Sequence, residues 1–239
     1  MLFRSLKRES IEQFLRERRG DGAVLAARPA VWTVLSQRGD IPPALVRPLA
    51  LDIETTRKAY DYRRIIVFDA NRRAIHPGDD NQVEPHVAEA LSETLATGQP
   101  VFVDLPRSPQ SCQCYGMITP VPAGGIPGRE PVGAVYLEVD ARTQLLPLVK
   151  RWPGEGATTE TVLMRKEGDG VLVLVSSEVK EGAPLPWRAS EGPEDLRLGQ
   201  RAVRGDTGIL HGSIDFKRVP VIGVSLPVSG TPWMLVAKQ

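Results

Sequence analysis

The same order of secondary-structure elements is predicted twice along this chain. Each pass contains two strand-like stretches, then a helical or covering stretch, then three more strand-like stretches. The strands are read from short runs rich in β-branched and aromatic residues between turn residues. The two passes share few identical residues, so the repeat is one of architecture. A chain patterned in this way is expected to form two similar sheets, each with its own covering segment.

The first pass follows residue 60 and ends near residue 141. Its first two strands lie in RRIIVFDANRRAIHP, and a helix follows in VEPHVAEALSETLATGQ, with Pro85 in its first turn and Gly98 at its C-terminal cap. Three strands complete the pass: PVFVDL, QCYGMITPV and PVGAVYLEVDA. The pattern predicts a five-stranded antiparallel sheet with the helix between its second and third strands.

The second pass starts with a linking helix, ARTQLLPLVKRW, and repeats the pattern to the end of the chain. A hairpin is predicted in TETVLMRKEGDGVLVLVSS, a short covering segment in SEGPEDLRLGQRAVRGD, and three strands after residue 207. We therefore expect an α+β fold in three parts. These are N-terminal stalk helices at residues 1–60, a first sheet unit at 61–141, and a linking helix with a second sheet unit at 142–239.

The N-terminal part is predicted to be a long amphipathic helix followed by a second one. Apolar residues recur at helical spacing from Leu2 to about residue 37, and Pro29 is expected to interrupt the helix. The second helix is predicted from about Pro43 to Tyr60. The seam formed by Leu2, Leu6, Ile11 and Phe14 fits a homodimer contact, although packing against the sheets would account for it equally well.

Composition and charge exclude several classes of function. The formal net charge is +1 with the two signs interspersed, so there is no basic surface for a nucleic acid. No stretch approaches the roughly 20 apolar residues that a membrane-spanning helix needs. The sequence has no P-loop, no G-x-S-x-G and no H-E-x-x-H motif. We expect no catalytic site and no cofactor.

The layout and several stretches resemble the double Cache sensor domains, which are tandem PAS-like units of bacterial membrane receptors. The resemblance rests on RIIVFDANRRAI, PVGAVYLEVDARTQLLPLVKRWP, TETVLMRKEGDGVLVLV and the closing GILHGSIDFKRVPVIGVSLPVSGTPWMLVAKQ. It implies a periplasmic or other extracytoplasmic domain between two membrane helices, with the first PAS-like unit distal to the membrane. It further implies a histidine kinase, diguanylate cyclase or chemoreceptor module as output. The chain is then expected to be a receptor fragment that ends shortly before the second membrane helix.

The resemblance places a ligand pocket between one sheet face and the segment that covers it in the first unit. The candidate ligand-binding residues are Tyr62, Arg64, His76, Tyr115 and Met117. Arginine suits this role because its planar guanidinium binds a carboxylate through two parallel hydrogen bonds. An organic acid, an amine or an amino acid is the expected ligand, although the full amino-acid-recognition motif of the family is not evident.

Two cysteines, Cys112 and Cys114, are separated by one residue. On a strand, side chains two residues apart point to the same face, so the thiols would converge on a soft metal ion, with His76 and His86 as further ligands. The alternative is that both are small apolar residues of a sheet face. A disulfide between them would close a very small ring and is not expected.

The sequence thus predicts a non-catalytic input domain that senses a small molecule and passes the change to a cytoplasmic module. Two alternatives remain at this point. The first is a ligand-free structural or dimerisation spacer of the same kind of receptor. The second is a metal or redox sensor that acts through Cys112 and Cys114.

Overall fold

A computed structural model describes residues 2–37, 41–76, 83–106, 112–150, 160–178, 187–188, 197–215 and 218–239. The chain divides into two compact units, which are described separately below. The first unit comprises Leu15–Asp104 and Cys114–Asp140, and the second comprises Met1–Phe14, Leu105–Gln113 and Ala141–Gln239. Within the described residues, no helix is both long enough and apolar enough to span a membrane.

Proline residues account for the boundaries of the N-terminal helices only in part. The single long helix expected up to residue 37 is two helices, because Pro29 starts a new one at its first position, where a missing N–H costs nothing. The third helix tolerates Pro48 inside it. The bounds are α1 Leu2–Ala26, α2 Pro29–Leu35 and α3 Pro43–Ala59.

The first unit contains a five-stranded antiparallel sheet in the order β2-β1-β5-β4-β3. One helix, α4, follows β2 and ends at Gly98, whose φ of 65° is the left-handed conformation that glycine adopts most readily. The bounds are β1 Arg64–Asp69, β2 Ala74–His76, α4 Pro85–Thr97, β3 Val101–Val103, β4 Cys114–Pro122 and β5 Pro131–Asp140.

The two faces of the first sheet are covered by different helices. One face packs against α4 through Ile66, Phe68, Ile118 and Tyr136. The opposite face lies against the N-terminal helices, since a Cβ on Gly22 of α1 would lie 2.4 Å from Thr119 Oγ1. We refer to the face that packs against α4 as the covering-helix face.

The second unit contains a six-stranded antiparallel sheet in the order β8-β7-β6-β11-β10-β9. A π-helical turn at Ala141–Leu145 leads into its linking helix, and a short helix, α6, covers one face together with apolar strand residues. The bounds are α5 Leu146–Lys150, β6 Glu160–Glu167, β7 Gly170–Ser176, β8 Trp187–Arg188, α6 Leu198–Val203, β9 Gly208–Ile214, β10 Pro220–Pro227 and β11 Trp233–Lys238.

The predicted fold class is confirmed. Both units are antiparallel sheets with covering helices. The order β2-β1-β5-β4-β3 of the first sheet corresponds to β7-β6-β11-β10-β9 in the second. The second sheet carries one additional strand, the two-residue β8, which pairs with β7.

Candidate functional site

A buried carboxylate held by two arginines lies at one end of the first sheet. Glu138 of β5 is 4% exposed, and its Oε2 lies 2.6 Å from Arg63 Nη1 and 2.7 Å from Arg64 Nε. Arg64 Nη2 also donates to Glu138 Oε1 at 3.2 Å. We call Arg63, Arg64 and Glu138 the Arg–Glu row. Its side chains carry two positive charges and one negative charge.

The register of the sheet fixes this arrangement. Arg64 pairs with Glu138 across β1 and β5, and Gly116 of β4 pairs with Glu138 on its other side. Side chains alternate along a strand, so Glu138 shares the covering-helix face with Tyr136, two residues earlier. A Cβ on Gly116 would lie 2.1 Å from the Leu137 carbonyl oxygen and 2.7 Å from Tyr136 Cε2. The missing side chain at residue 116 therefore leaves room both for the backbone of β5 and for the tyrosine ring.

The arginines of the row remain accessible although the carboxylate does not. The side chain of Arg63 is 42% exposed and that of Arg64 is 28% exposed. Burial is the main cause that raises the pKa of the Tyr136 phenol above its usual range, and the nearby Glu138 carboxylate adds to it. Tyr136 therefore stays neutral at physiological pH. The exposed parts of the two guanidinium groups could contact a ligand from the solvent side.

Tyr62 is not brought to the Arg–Glu row. It is buried after α3, its hydroxyl donates to Asp21 Oδ2 at 2.6 Å, and the Arg18 guanidinium lies 5.1 Å from its ring centre. Arg18 is itself paired with Asp21 at 3.1 Å. Burial, followed by the hydrogen bond to Asp21, raises the pKa of the Tyr62 hydroxyl above its usual range. The contacts of Tyr62 tie β1 to α1.

Tyr115 and Met117 lie on the sheet face opposite the Arg–Glu row. Both are on β4, flanking Gly116, and alternation directs their side chains away from the covering-helix face. They are 1% and 3% exposed, and the ring centre of Tyr115 lies 6.4 Å from that of Phe102. Of the predicted ligand-binding residues, only Arg64 thus lies in the row.

His76 ends the edge strand β2, where it pairs with Val67 of β1. Its side chain is half-buried, and burial lowers its pKa below the usual range, opposed by the Glu54 carboxylate. It is not among the residues that could share a metal ion within the described part of the chain. His86 instead lies 3.6 Å from Glu84 at the start of α4.

The two cysteines are joined by a disulfide, which corrects the expectation of two separate thiols. That expectation placed both residues on one strand, but β4 begins at Cys114, so Cys112 lies outside regular strand geometry. The sulfur atoms and one carboxylate oxygen of Glu138 lie within 4.8 Å of one another. Thiolates, not disulfides, are metal ligands. A metal ion would bind here only after reduction.

The first unit also has an open cavity of about 570 Å³ where α1 and α4 end. Its walls are mainly alanine, glycine and proline residues, with Thr119 below and the exposed Arg129 and Glu130 at the loop before β5. None of the predicted ligand-binding residues lines it. The cavity and the Arg–Glu row are distinct places in the first unit.

The second sheet contains a row in the same register position. Glu160 of β6 pairs with Lys238 of β11, and Lys238 pairs with Gly223 of β10, as Arg64, Glu138 and Gly116 do in the first sheet. Lys238 Nζ lies 2.7 Å from Glu160 Oε2 and also bonds Asp215. We call Glu160, Lys238 and Asp215 the Lys–Glu row. At this position the residue on the middle strand is thus negatively charged in the first sheet (Glu138 of β5) and positively charged in the second (Lys238 of β11), and its partner on the neighbouring strand carries the opposite charge.

Sequence analysis did not single out Glu138, Tyr136 or the Lys–Glu row. A signal was present for Glu138 and Lys238, which are charged residues in otherwise mainly apolar strands, VGAVYLEVD and WMLVAK. Charged side chains at such positions are rarely buried unless they are paired. Their partners come from strands distant in sequence, and only the register of the sheets brings them together.

Comparison with known proteins finds similarity in structure without close similarity in sequence. No protein-family model matches the chain, and no curated protein matches it in sequence. The sensory domain of the Campylobacter jejuni chemoreceptor Tlp3 superposes with a TM-score of 0.70 and 11% identity, covering 99% of this chain and 90% of that one.

Two further sensory domains match over nearly the whole chain. The sensor domain of the V. cholerae histidine kinase DctB has a TM-score of 0.59 and 13% identity, over 97% of this chain and 90% of that one. The ligand-binding domain of the Pseudomonas fluorescens chemoreceptor CtaA has a TM-score of 0.59 and 15% identity, over 98% and 92%. This chain has the tandem PAS-like fold of these sensory domains, the double Cache architecture expected from its sequence.

Proposed function

We propose that this chain is the extracytoplasmic ligand-sensing domain of a membrane receptor and that its first unit binds a small carboxylate-bearing molecule at the Arg–Glu row. The fold supports the first part, since structural neighbours are sensory domains of chemoreceptors and of a histidine kinase. The single observation that carries the second part is the pair of accessible arginines on the buried Glu138.

The charge of the row favours an anionic group. Two guanidiniums face one carboxylate, which leaves one excess positive charge, and a guanidinium pairs with a carboxylate through two hydrogen bonds. Neighbouring structures contain L-valine, isoleucine and L-serine, all of which carry a carboxylate. Because the Glu138 carboxylate is buried, an amino acid or an organic acid would bind the row through its own carboxylate, at Arg63 or Arg64.

The signalling step follows from differential affinity. A ligand shifts the domain between two conformations only to the extent that it binds one of them more tightly. The row joins the first residues of β1 to the last part of β5, and the linking helix leaves the sheet after β5. Ligand binding at the row would therefore act on the strand that continues into the second unit.

A thermal-shift screen tests the ligand site, because a ligand that binds the native state raises the melting temperature by mass action. Organic acids, amino acids and amines are compared for the wild-type chain and for Arg64→Gln. We expect carboxylates to raise the melting temperature of the wild type and to lose most of this effect in Arg64→Gln. Arg47→Gln is the matched control, because Arg47 is an exposed arginine near the opposite end of α3.

The absence of a shift with every compound would favour the spacer alternative. An equal shift in the wild type and in Arg64→Gln would mean that the ligand binds away from the Arg–Glu row. The receptor part of the proposal has a separate test in the full-length gene. We expect a membrane-spanning helix on each side of this region and a cytoplasmic output module downstream, as in a homodimeric receptor joined through its N-terminal helices.

A further inference from the structure

The open cavity of the first unit lies between the ends of two helices. α1 ends at Ala26 and α4 ends at Thr97, and residues from both last turns line the cavity. The last carbonyl groups of an α-helix have no donor within the helix, and they give its C-terminus a partial negative charge. Neither last turn contains a basic residue. The cavity is thus bounded by two helix ends that favour a cation.

Proline residues leave two of these carbonyls without a donor. Pro29 follows the end of α1 and Pro100 follows the end of α4, and proline has no backbone N–H. Within the described residues, no hydrogen bond reaches the carbonyl oxygen of Ala26 or that of Ala96. Ala26 is 3% exposed, and a buried carbonyl without a donor is costly. A ligand that donates hydrogen bonds in the cavity would remove this cost.

The other walls of the cavity are poor in hydrogen-bond donors. Four prolines, which supply a carbonyl but no N–H, line it: Pro120, Pro122, Pro127 and Pro131. Arg129 and Glu130 lie side by side on the loop before β5, and both are exposed. In the part of the chain that the structure describes, neither side chain forms a hydrogen bond or an ion pair. Glu130 thus offers a carboxylate to a cationic ligand, and Arg129 opposes that ligand.

The volume of the cavity, about 570 Å³, is within the range of about 300–1,000 Å³ that is typical of ligand pockets. The acceptors lie on separate walls, at the end of α1, at the end of α4 and on the loop before β5. The surface between them consists mainly of alanine and proline side chains, which favour contact with hydrocarbon. Ammonium groups are donors only. Several of them, joined by short hydrocarbon segments, match both the acceptors and the apolar surface.

We propose that this cavity binds a linear polyamine. Its ammonium groups bind at the two helix ends and at Glu130, and its hydrocarbon segments lie against the alanine and proline walls. The site is separate from the Arg–Glu row, which has an excess of positive charge and favours an anion. The first unit then has two sites of opposite charge preference.

Isothermal titration calorimetry with spermidine, a linear triamine, tests the proposal. We expect saturable binding to the wild-type chain at constant ionic strength. The formal net charge of the chain is +1, so the protein as a whole does not attract a polycation. Two compounds of similar length serve as competitors: a diol, in which hydroxyl groups replace the ammonium groups, and suberate, a dicarboxylate. Neither is expected to displace spermidine.

Two adjacent variants test the sign of the charge. Both residues are exposed and form no ion pair within the described residues, so the fold does not depend on their charges. We expect Glu130→Gln to weaken spermidine binding about two- to fivefold, because it removes the carboxylate. Arg129→Gln should strengthen binding by a similar factor, because it removes the opposing cation. A ligand held by its negative charge would show the reverse signs.

A third variant tests the location. Ala96 is an exposed residue of α4 that lines the cavity, and leucine is a good helix former, so Ala96→Leu should narrow the cavity and preserve the helix. We expect spermidine binding to weaken about tenfold. Ala59→Leu is the matched control, because Ala59 is an exposed alanine at the end of α3 and does not line the cavity.

Several results would overturn the proposal. These are no saturable heat with spermidine in the wild type, displacement of spermidine by the diol or by suberate, the same affinity in Glu130→Gln as in Arg129→Gln, or an unchanged affinity in Ala96→Leu. Loss of spermidine binding in Arg64→Gln would place the polyamine at the Arg–Glu row and would also contradict it. Carboxylate binding at the row is decided separately by the ligand screen, so either proposal can fail without the other.

Discussion

Several ionisable side chains are buried in this protein, and each of the two sheets holds at least one of them on a strand. Glu138 and Lys238 lie inside strands, each held by two oppositely charged side chains. Removing one partner of a buried ion pair is costly because the other charge remains desolvated. Substitution of any single member of either row is therefore expected to be destabilising.

Lys7 offers a residue-scale prediction in the second unit. Its ammonium is buried and donates to the Val149 carbonyl and, at 3.2 Å, to Thr161 Oγ1. Burial lowers the pKa of Lys7 from 10.5 to about 8. Between these two values the unfolded chain holds a proton that the folded chain has released, so the free energy of unfolding should rise with pH in this window.

The control is Lys7→Met, which keeps an unbranched side chain without the charge. We expect the stability of the wild type relative to Lys7→Met to be constant below about pH 8 and to increase between pH 8 and 10.5. Urea unfolding at a series of pH values measures the difference. Parallel pH profiles for the two proteins would mean that Lys7 retains its ordinary pKa in the folded state.

At the scale of elements, the packing of α1 on the first sheet depends on one glycine. A Cβ on Gly22 would lie 2.4 Å from Thr119 Oγ1 and 3.6 Å from Leu137 Cδ1, and Thr119 is itself buried. Threonine is branched at Cβ and cannot easily rotate away. We expect Gly22→Ala to destabilise the first unit by about 1–3 kcal/mol through overpacking.

Gly20 is the matched control on the same helix. It is exposed, and a Cβ there would meet nothing within 4 Å. Gly20→Ala should stabilise the protein by up to about 1 kcal/mol, because alanine is the better helix former. Chemical denaturation of the two variants measures both effects. Equal effects of the two substitutions would show that helix propensity, not the contact with Thr119, decides the outcome.

At the scale of the whole molecule, each unit has a core of its own. Leu91 belongs to the core between α4 and the first sheet, and Met164 to the core between α6 and the second sheet. Truncating either buried side chain to alanine should cost about 2–5 kcal/mol. Because the cores are separate, we expect each substitution to lower stability mainly in its own unit.

Hydrogen exchange measured by mass spectrometry distinguishes the units. Leu91→Ala should reduce amide protection in β1, β4 and β5, whereas Met164→Ala should reduce it in β6, β7 and β11. Reduced protection throughout both sheets in either variant would indicate a single cooperative unit. The same experiment with added ligand would report which unit each proposed ligand stabilises.

The predicted homodimer contact was assigned to a seam that contributes at least one residue to packing within the chain. Ile11 is fully buried within the chain, whereas Leu6 is 46% exposed. Periodicity predicted the amphipathic helix because apolar residues recur on one side of it. It could not distinguish a face that packs on the protein's own core from one that contacts a partner, since both require the same residues.

The sequence by itself determined most of the elements, their order and the fold class, because strand and helix periodicities and turn residues are local properties of the chain. It also led to the prediction of Arg64 as a ligand-binding residue, because a guanidinium group suits an anionic ligand. Only the tertiary structure decided that Arg64 shares Glu138 with Arg63, that Tyr115 and Met117 lie on the opposite face, and that Lys238 meets Glu160 and Asp215. The physical reason is register, since pairing between strands distant in sequence decides which side chains meet.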